Sequence, residues 1–380
     1  MDKQAERGTA AGARAALIGF PRHGSSGRLN AITDVPGVAV GIRTLIAGDG
    51  PLRVGHGPVR TGVTAILPRG RSGAGDGCAA GVHVLNGNGE MTGTAWIAES
   101  GILSTPVVLT NSHAVGAGHR GAIDWMLRER PETDIWLMPV VAETFDGYLN
   151  DINGDHVRPA TVVAALDAAT GGPVPEGSVG GGTGMTCYDL KGGTGTASRL
   201  VRFAGATYTL GVLVQANFGA RPELTLAGVP VGRLLGEEIP VPSRTLPPGA
   251  GSVITIVATD APLLPGQCAA LARRVPLGLA RTGTSGSHFS GDLFLAFSTA
   301  NPGVLASRHP GAATERVEQL RFVPWGHLDP FYEACVQAVE EAVVNALVAG
   351  ADMTGRDGHH VPGLPHARVA ELLREVAAAR

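Results

Sequence analysis

Strand-like and helix-like stretches alternate along the whole chain, and no repeat period organises them. That order constrains the fold more than any single motif, because mixed elements bury their apolar faces in stacked layers of sheet and helix. β-Branched and aliphatic runs predict strands over 62–67, 106–110, 135–141, 207–215, 253–259 and 293–298. Helices are predicted over 112–128, 160–169, 265–280, 330–349 and 366–379, with Ser112 as an N-cap and Pro265 in a first turn. In the helix near 330, Phe331, Cys335, Val339, Val343 and Leu347 form an apolar stripe that should face a sheet. The expected class is α/β or α+β.

One clear linker interrupts this order, PVPSRTLPPGAG at 240–251. It divides the 380 residues into segments 1–251 and 252–380, and the second holds too few strands for a sheet of its own. Residues 28–380 are therefore expected to build a single domain around one core, which an apolar content of 44% can fill. Residues 1–27 read as a flexible arm, without the apolar stretch of a secretory signal. No apolar run reaches membrane-spanning length. A net charge of −3 with no polybasic segment argues against nucleic acid and membrane partners. Cys78, Cys187, Cys268 and Cys335 lie far apart, which suits free thiols in a reducing, cytoplasmic setting.

The linker ends at Gly251-Ser252, and the run VITIV follows at once. If the Gly251–Ser252 bond is cut, Ser252 gains an α-amine with a reference pKa of about 7.7–8.0, a base for its own hydroxyl. Glycine before it removes the Cβ that would obstruct an N→O acyl shift. The plain alternative is a loop that starts a strand. Asn217, in VQANFGAR, ends an apolar strand and is either an oxyanion donor or a turn residue. Ser290 and Asp292 stand two apart before another strand, so both side chains face one side; an ordinary capped turn would read the same. Glu143, at a strand end in ETFDGYLNDINGDH, is placed to meet a substrate ammonium. Asp146, Asp151, Asn153 and Asp155 follow it, but they lack the glycine and closing glutamate of an EF-hand loop, and no metal is expected. The glycine-rich stretch 177–199 has neither GK[ST] nor a strand–GxGxxG–helix context, so close backbone packing explains it better than phosphate binding. Cys187 should pack there. Lys191 stands out because Lys3 is the one other lysine.

Together these segments resemble the DmpA/BapA family of serine peptidases (peptidase family S58), which includes L-aminopeptidase/D-amidase-esterases and β-peptidyl aminopeptidases. The resemblance runs through LNAITDVPGVAVG, GPVRTGVTAILPRG, VLNGNGEMTGTAWI, LTNSHAVGAG, ETFDGYLNDI, GGTGMTCYDLKGGTGTASR, VQANFG, GSVITIVATDAPLLP and FSGDLFLAFSTAN. It implies a four-layer αββα sandwich similar to that of N-terminal-nucleophile hydrolases. It also implies self-cleavage between Gly251 and Ser252 into an α chain, 1–251, and a β chain, 252–380. By motif, Ser252 is the implied nucleophile and Asn217 the oxyanion donor. Ser290 and Asp292 organise the nucleophile, and Glu143 holds the free amino group of a short peptide, amide or ester. Phe145 stands where relatives often carry Tyr or Trp, so a hydroxyl contact to the oxyanion is missing. The resemblance implies no cofactor and a tetramer of αβ units. An autoprocessing acyltransferase of the ornithine acetyltransferase type and an uncut, non-catalytic homologue are the alternatives.

Overall fold

The structure is a computed structural model that describes residues 14–131, 137–239, 241, 247, 249–305, 315 and 317–378. In chain order it runs β1 (Ala39–Ala47), β2 (Val59–Leu67), β3 (Cys78–Gly87), α1 (Thr94–Ser100), β4 (Ile102–Leu103), β5 (Val107–Asn111), α2 (Val115–Glu129), β6 (Val140–Thr144) and α3 (Pro159–Asp167). A short hairpin follows, β7 (Thr186–Cys187) and β8 (Leu190–Lys191), then β9 (Gly193–Phe203), β10 (Ala206–Asn217) and α4 (Val231–Leu235). The remainder is β11 (Gly251–Thr259), α5 (Pro265–Ala272), α6 (Val275–Ala280), β12 (Ser290–Ser298), α7 (Asp329–Ala349), the paired short strands β13 (Met353–Thr354) and β14 (His360–Val361), and α8 (His366–Ala378).

Two sheets stack face to face. One has the order β1-β2-β5-β6 and the other β4-β3-β12-β11-β10-β9. Their strands are buried from end to end in β2, β5, β6 and β12, as expected when both faces are covered. Successive residues then serve different cores. Ile254 and Ile256 of β11 meet Val107, Leu109 and Val140 between the sheets, whereas Val253 and Val257 face α7 and its neighbours. On the outer face of the first sheet, Val108 and Val141 pack under Trp125 of α2 and Val162 and Leu166 of α3. The result is helix, sheet, sheet, helix, the expected four-layer αββα order. No helix among the described residues is long and apolar enough to cross a membrane.

The structure adjusts several expected boundaries. The predicted helix over 265–280 is two helices, because Pro276 removes an N–H from the ladder and restarts the chain as α6. The strand expected over 135–141 is observed as β6 beginning at Val140; residues 135 and 136 lie outside the described residues. Residues 1–13 of the expected arm also lie outside them, but the chain from Arg14 onward does not behave as an arm. Ala15, Ile18 and Phe20 are buried in the α7 core, and Arg14 pairs with Glu176 at 3.0 Å. Short apolar residues within a polar stretch gave too weak a local signal to show this anchoring.

Candidate active site

Ser252 is the second residue of β11, between the end of β10 and the start of β12. Its Cα register partners are Asn217 on the antiparallel side and Gly291 on the parallel side. One end of the six-stranded sheet thus brings together Asn217, Gly251, Ser252, Ser290 and Asp292 from three strands. Ser252 is 3% exposed, and its hydroxyl donates to the carbonyl oxygen of Gly251 at 2.6 Å. The hydroxyl therefore lies beside the carbonyl of the bond that precedes it. Gly251 has no steric substitute: a Cβ there would lie 1.8 Å from the Asn217 carbonyl oxygen.

Ser290 and Asp292 share a face of β12, as their two-residue spacing requires. The Ser290 hydroxyl donates to Asp292 Oδ1 at 2.5 Å, and Asn86 Nδ2 donates to Oδ2 at 2.9 Å. The Val253 backbone N–H also faces this carboxylate. Burial nevertheless raises the Asp292 pKa, because the hydrogen bonds offset only part of the lost hydration. The register between β12 and β3 shifts at Asp292/Leu293, an irregularity of the kind that re-aims side chains beside a site.

The Asn217 amide is fixed at both ends. Its Oδ1 accepts from the Thr186 N–H at 2.8 Å, and its Nδ2 donates to the Phe145 carbonyl at 3.0 Å. These two bonds leave the second N–H of the amide over, and Asn217 stands opposite Ser252 in the β10–β11 pair. The Phe145 ring is partly exposed and lines a cavity of about 580 Å³ together with Ser252, Glu143 and Phe289. The Ser252 residue and the Glu143 carboxylate thus line one space that also has the Phe145 and Phe289 rings on its walls.

Glu143 comes from the other sheet, at the end of β6. Ser112 donates its hydroxyl to Glu143 Oε2, and the Glu90 N–H donates to Oε1 at 2.9 Å. Burial raises the Glu143 pKa, with these two hydrogen bonds acting in the opposite direction. Ser112 is therefore not the helix cap that its position suggested. Asn111 instead caps the 3-10 turn at Ser112–Ala114 that leads into α2, accepting from the His113 N–H at 3.0 Å, and the serine is free to meet Glu143. Asn86, Glu90 and the contact of Ser112 with Glu143 carry no local sequence signal, since each acts across strands or sheets.

Other expected candidates fall elsewhere. Asp146 is fully buried beneath the site, where burial raises its pKa to about 7, and Asn150 donates to it at 3.0 Å. Asp151 accepts from the Gly55 and Gly57 N–H groups and contacts His156, while Asp155 pairs with Arg158. Among the described residues, no group of three or more His, Cys, Asp or Glu side chains is placed to hold a metal ion. Cys187 is buried in the core, and Lys191 has no exposed surface.

Known proteins are similar to this chain over nearly its whole length. A family model described as peptidase family S58 matches residues 30–361. The chain is 47% identical over 385 residues to a beta-peptidyl aminopeptidase, BapA, of Sphingosinicella microcystinivorans, covering 98% of this chain and 95% of that protein. The structure of the L-aminopeptidase D-Ala-esterase/amidase of Ochrobactrum anthropi, described as a new variant among the Ntn hydrolase fold, is 47% identical. It superposes with a TM-score of 0.89 over 96% of this chain and 99% of that one. A Burkholderia beta-aminopeptidase superposes with a TM-score of 0.86 at 47% identity, again over 96% of this chain and 99% of that chain. Ordered motifs, layered fold and whole-length similarity lead to one conclusion: the chain belongs to peptidase family S58.

Proposed function

We propose that this chain is a self-processing serine aminopeptidase that frees the N-terminal residue of short peptides, amides or esters through an acyl-enzyme on Ser252. The observation that carries the reading is the shared cavity, which has the Ser252 hydroxyl and the buried Glu143 carboxylate on its walls. A hydrolase that recognises a free amino group needs that pairing.

Maturation begins when Ser252 Oγ attacks the Gly251 carbonyl carbon, to whose oxygen it already donates. The C–N bond breaks, an ester to Oγ forms, and the nitrogen becomes the α-amine of Ser252. Water then hydrolyses the ester, leaving chains 1–251 and 252–380. In turnover the amine accepts the Oγ proton as the hydroxyl attacks the substrate carbonyl. The free N–H of Asn217 meets the oxyanion, a contribution of about 3–4 kcal/mol in comparable sites. Asp292, steadied by Ser290 and Asn86, balances the charge of the protonated amine. The amine then protonates the leaving group, and water resolves the acyl-enzyme by the reverse path. Glu143 holds the substrate ammonium while Phe145 and Phe289 flank the side chain.

The names of the relatives put β-amino, L-α and D-α N-terminal residues on one test panel. A cytoplasmic location and a tetramer of αβ units belong to the same reading, and sedimentation of the purified protein checks the latter. Denaturing electrophoresis with N-terminal sequencing tests the core claim. A fragment beginning at Ser252 is expected, and Ser252→Ala should abolish both the cut and turnover of aminoacyl p-nitroanilides. An active chain that stays intact, or an active Ser252→Ala variant, would sink the proposal.

A further inference from the structure

The Asn217 amide can face Ser252 in two ways, with its NH2 group or, after a half-turn, with its oxygen. Only the first suits an oxyanion; the second sets a lone pair against it. Two contacts decide between them: the Thr186 N–H donates to Oδ1 at 2.8 Å, and the Phe145 carbonyl accepts from Nδ2 at 3.0 Å. What holds that N–H is therefore part of the site.

Thr186 belongs to the β7–β8 hairpin, whose two turn residues, Tyr188 and Asp189, have φ of 54° and 57°. A two-residue type I′ turn demands such angles, and neither residue is a glycine, so the turn is held against its own preference. Its tip is gripped by Arg221, which donates to the Tyr188 carbonyl at 2.9 Å and to the Asp189 carbonyl at 2.6 Å. The Arg221 N–H donates to Asp189 Oδ2 at 2.9 Å. Its base is gripped by Lys191, which donates to the Met185 carbonyl at 2.7 Å and the Gly192 carbonyl at 3.0 Å. Met185 directly precedes Thr186, so this contact fixes the peptide unit that carries the N–H. Lys191 is wholly buried, a costly place for an ammonium that nothing in the hydrolytic steps requires. Burial lowers its pKa to about 7, and the converging carbonyls repay part of the lost hydration.

We infer that Lys191 is a positioning residue for the oxyanion amide. By clamping the Thr186–Lys191 hairpin it holds the Thr186 N–H on Asn217 Oδ1 and keeps the Asn217 NH2 group turned toward Ser252. The inference rests on the proposed oxyanion role of Asn217, and a double-mutant cycle separates the two. With an aminoacyl p-nitroanilide and the self-cut enzyme, Asn217→Ala should lower kcat about 100–1,000-fold. Lys191→Met alone should lower kcat about tenfold or more while KM stays within about threefold, the pattern of a group felt in the transition state. In the Asn217→Ala background, Lys191→Met should cost less than about threefold more, because the amide it positions is gone. Where a variant cuts itself slowly, the rate of self-cutting is read in the same cycle. Full kcat in Lys191→Met, or losses that multiply across the cycle, would overturn the inference. An unaffected Asn217→Ala variant would instead overturn the oxyanion reading beneath it. If Lys191→Met yields no folded protein, Asp189→Gly takes its place in the cycle. Glycine suits the left-handed turn, and the change removes the acceptor of the Arg221 N–H. A kcat loss of about threefold or more that vanishes without Asn217 supports the clamp; an unchanged kcat or an additive loss overturns it.

Discussion

Glu143 accepts hydrogen bonds from Ser112 and from the Glu90 N–H, and has no ion-pair partner among the described residues. A buried carboxylate in that condition is poorly compensated until a cation arrives. The ammonium of a substrate would supply the missing charge, and in doing so would favour the ionised form. The raised pKa fixes the sign of the pH dependence. If Glu143 binds the ammonium as proposed, its protonation as pH falls through this raised pKa releases the substrate, so KM should rise on the acid side and level off at higher pH. Glu143→Gln should raise KM about 10–100-fold, the worth of one charge-assisted hydrogen bond, and erase that acid limb. Asp292 also has a raised pKa, but in the proposed mechanism it acts on Ser252, so its limb would belong to kcat and should persist in the variant. Profiles of KM and kcat against pH for both proteins check this. An unchanged KM and acid limb in Glu143→Gln would remove Glu143 from substrate binding.

At the scale of elements, the strands that sequence reveals are those with β-branched runs, such as β11 and the middle of β10. The strand β9 escaped notice because its inner residues are Gly193, Gly195 and Ala197, which read as loop. The reason lies in α7: a Cβ on Gly195 would stand 2.0 Å from the Ala342 carbonyl oxygen. The helix packs directly on the strand backbone, and the small residues that allow this erase the usual strand signature. Gly195→Val should therefore destabilise the protein by about 1–3 kcal/mol through overpacking. Gly116 makes the opposite case. It is exposed in α2 and a Cβ there would meet nothing within 4 Å, so Gly116→Ala should stabilise by about 0.5–1 kcal/mol. Urea midpoints of the two variants give the test, and equal shifts would contradict the packing argument. The site divides along the same line. Ser290 and Asp292 were legible together because a strand turns residues two apart to one face. Asn86 on Asp292 and Ser112 on Glu143 were not, because register and sheet stacking bring them there and neither leaves a trace in local sequence.

On the scale of the whole molecule, the Gly251–Ser252 bond divides the chain without dividing the fold. Segment 252–380 supplies β11 and β12, the central strands of the six-stranded sheet, together with α5 to α8. Segment 1–251 supplies the strands on either side, since β10 pairs with β11 and β3 with β12. It also supplies the entire four-stranded sheet. The core between the sheets mixes both segments: Ile254, Ile256, Leu295 and Phe297 from one lie against Val107, Leu109 and Val140 from the other. Separation would expose these side chains, at about 1.5–3 kcal/mol each, and would strip the hydrogen-bond partners from both edges of the β11–β12 pair. The cut molecule should accordingly run as two chains in denaturing electrophoresis and as one species in native electrophoresis and sedimentation. Its thermal unfolding should be a single transition. The 252–380 chain, isolated in denaturant and diluted alone, should show no cooperative unfolding, while dilution together with chain 1–251 should restore turnover of the p-nitroanilide. A sigmoidal melt of the isolated 252–380 chain would mean that its strands and helices close a core of their own, and that the shared interior is a contact between two finished folds.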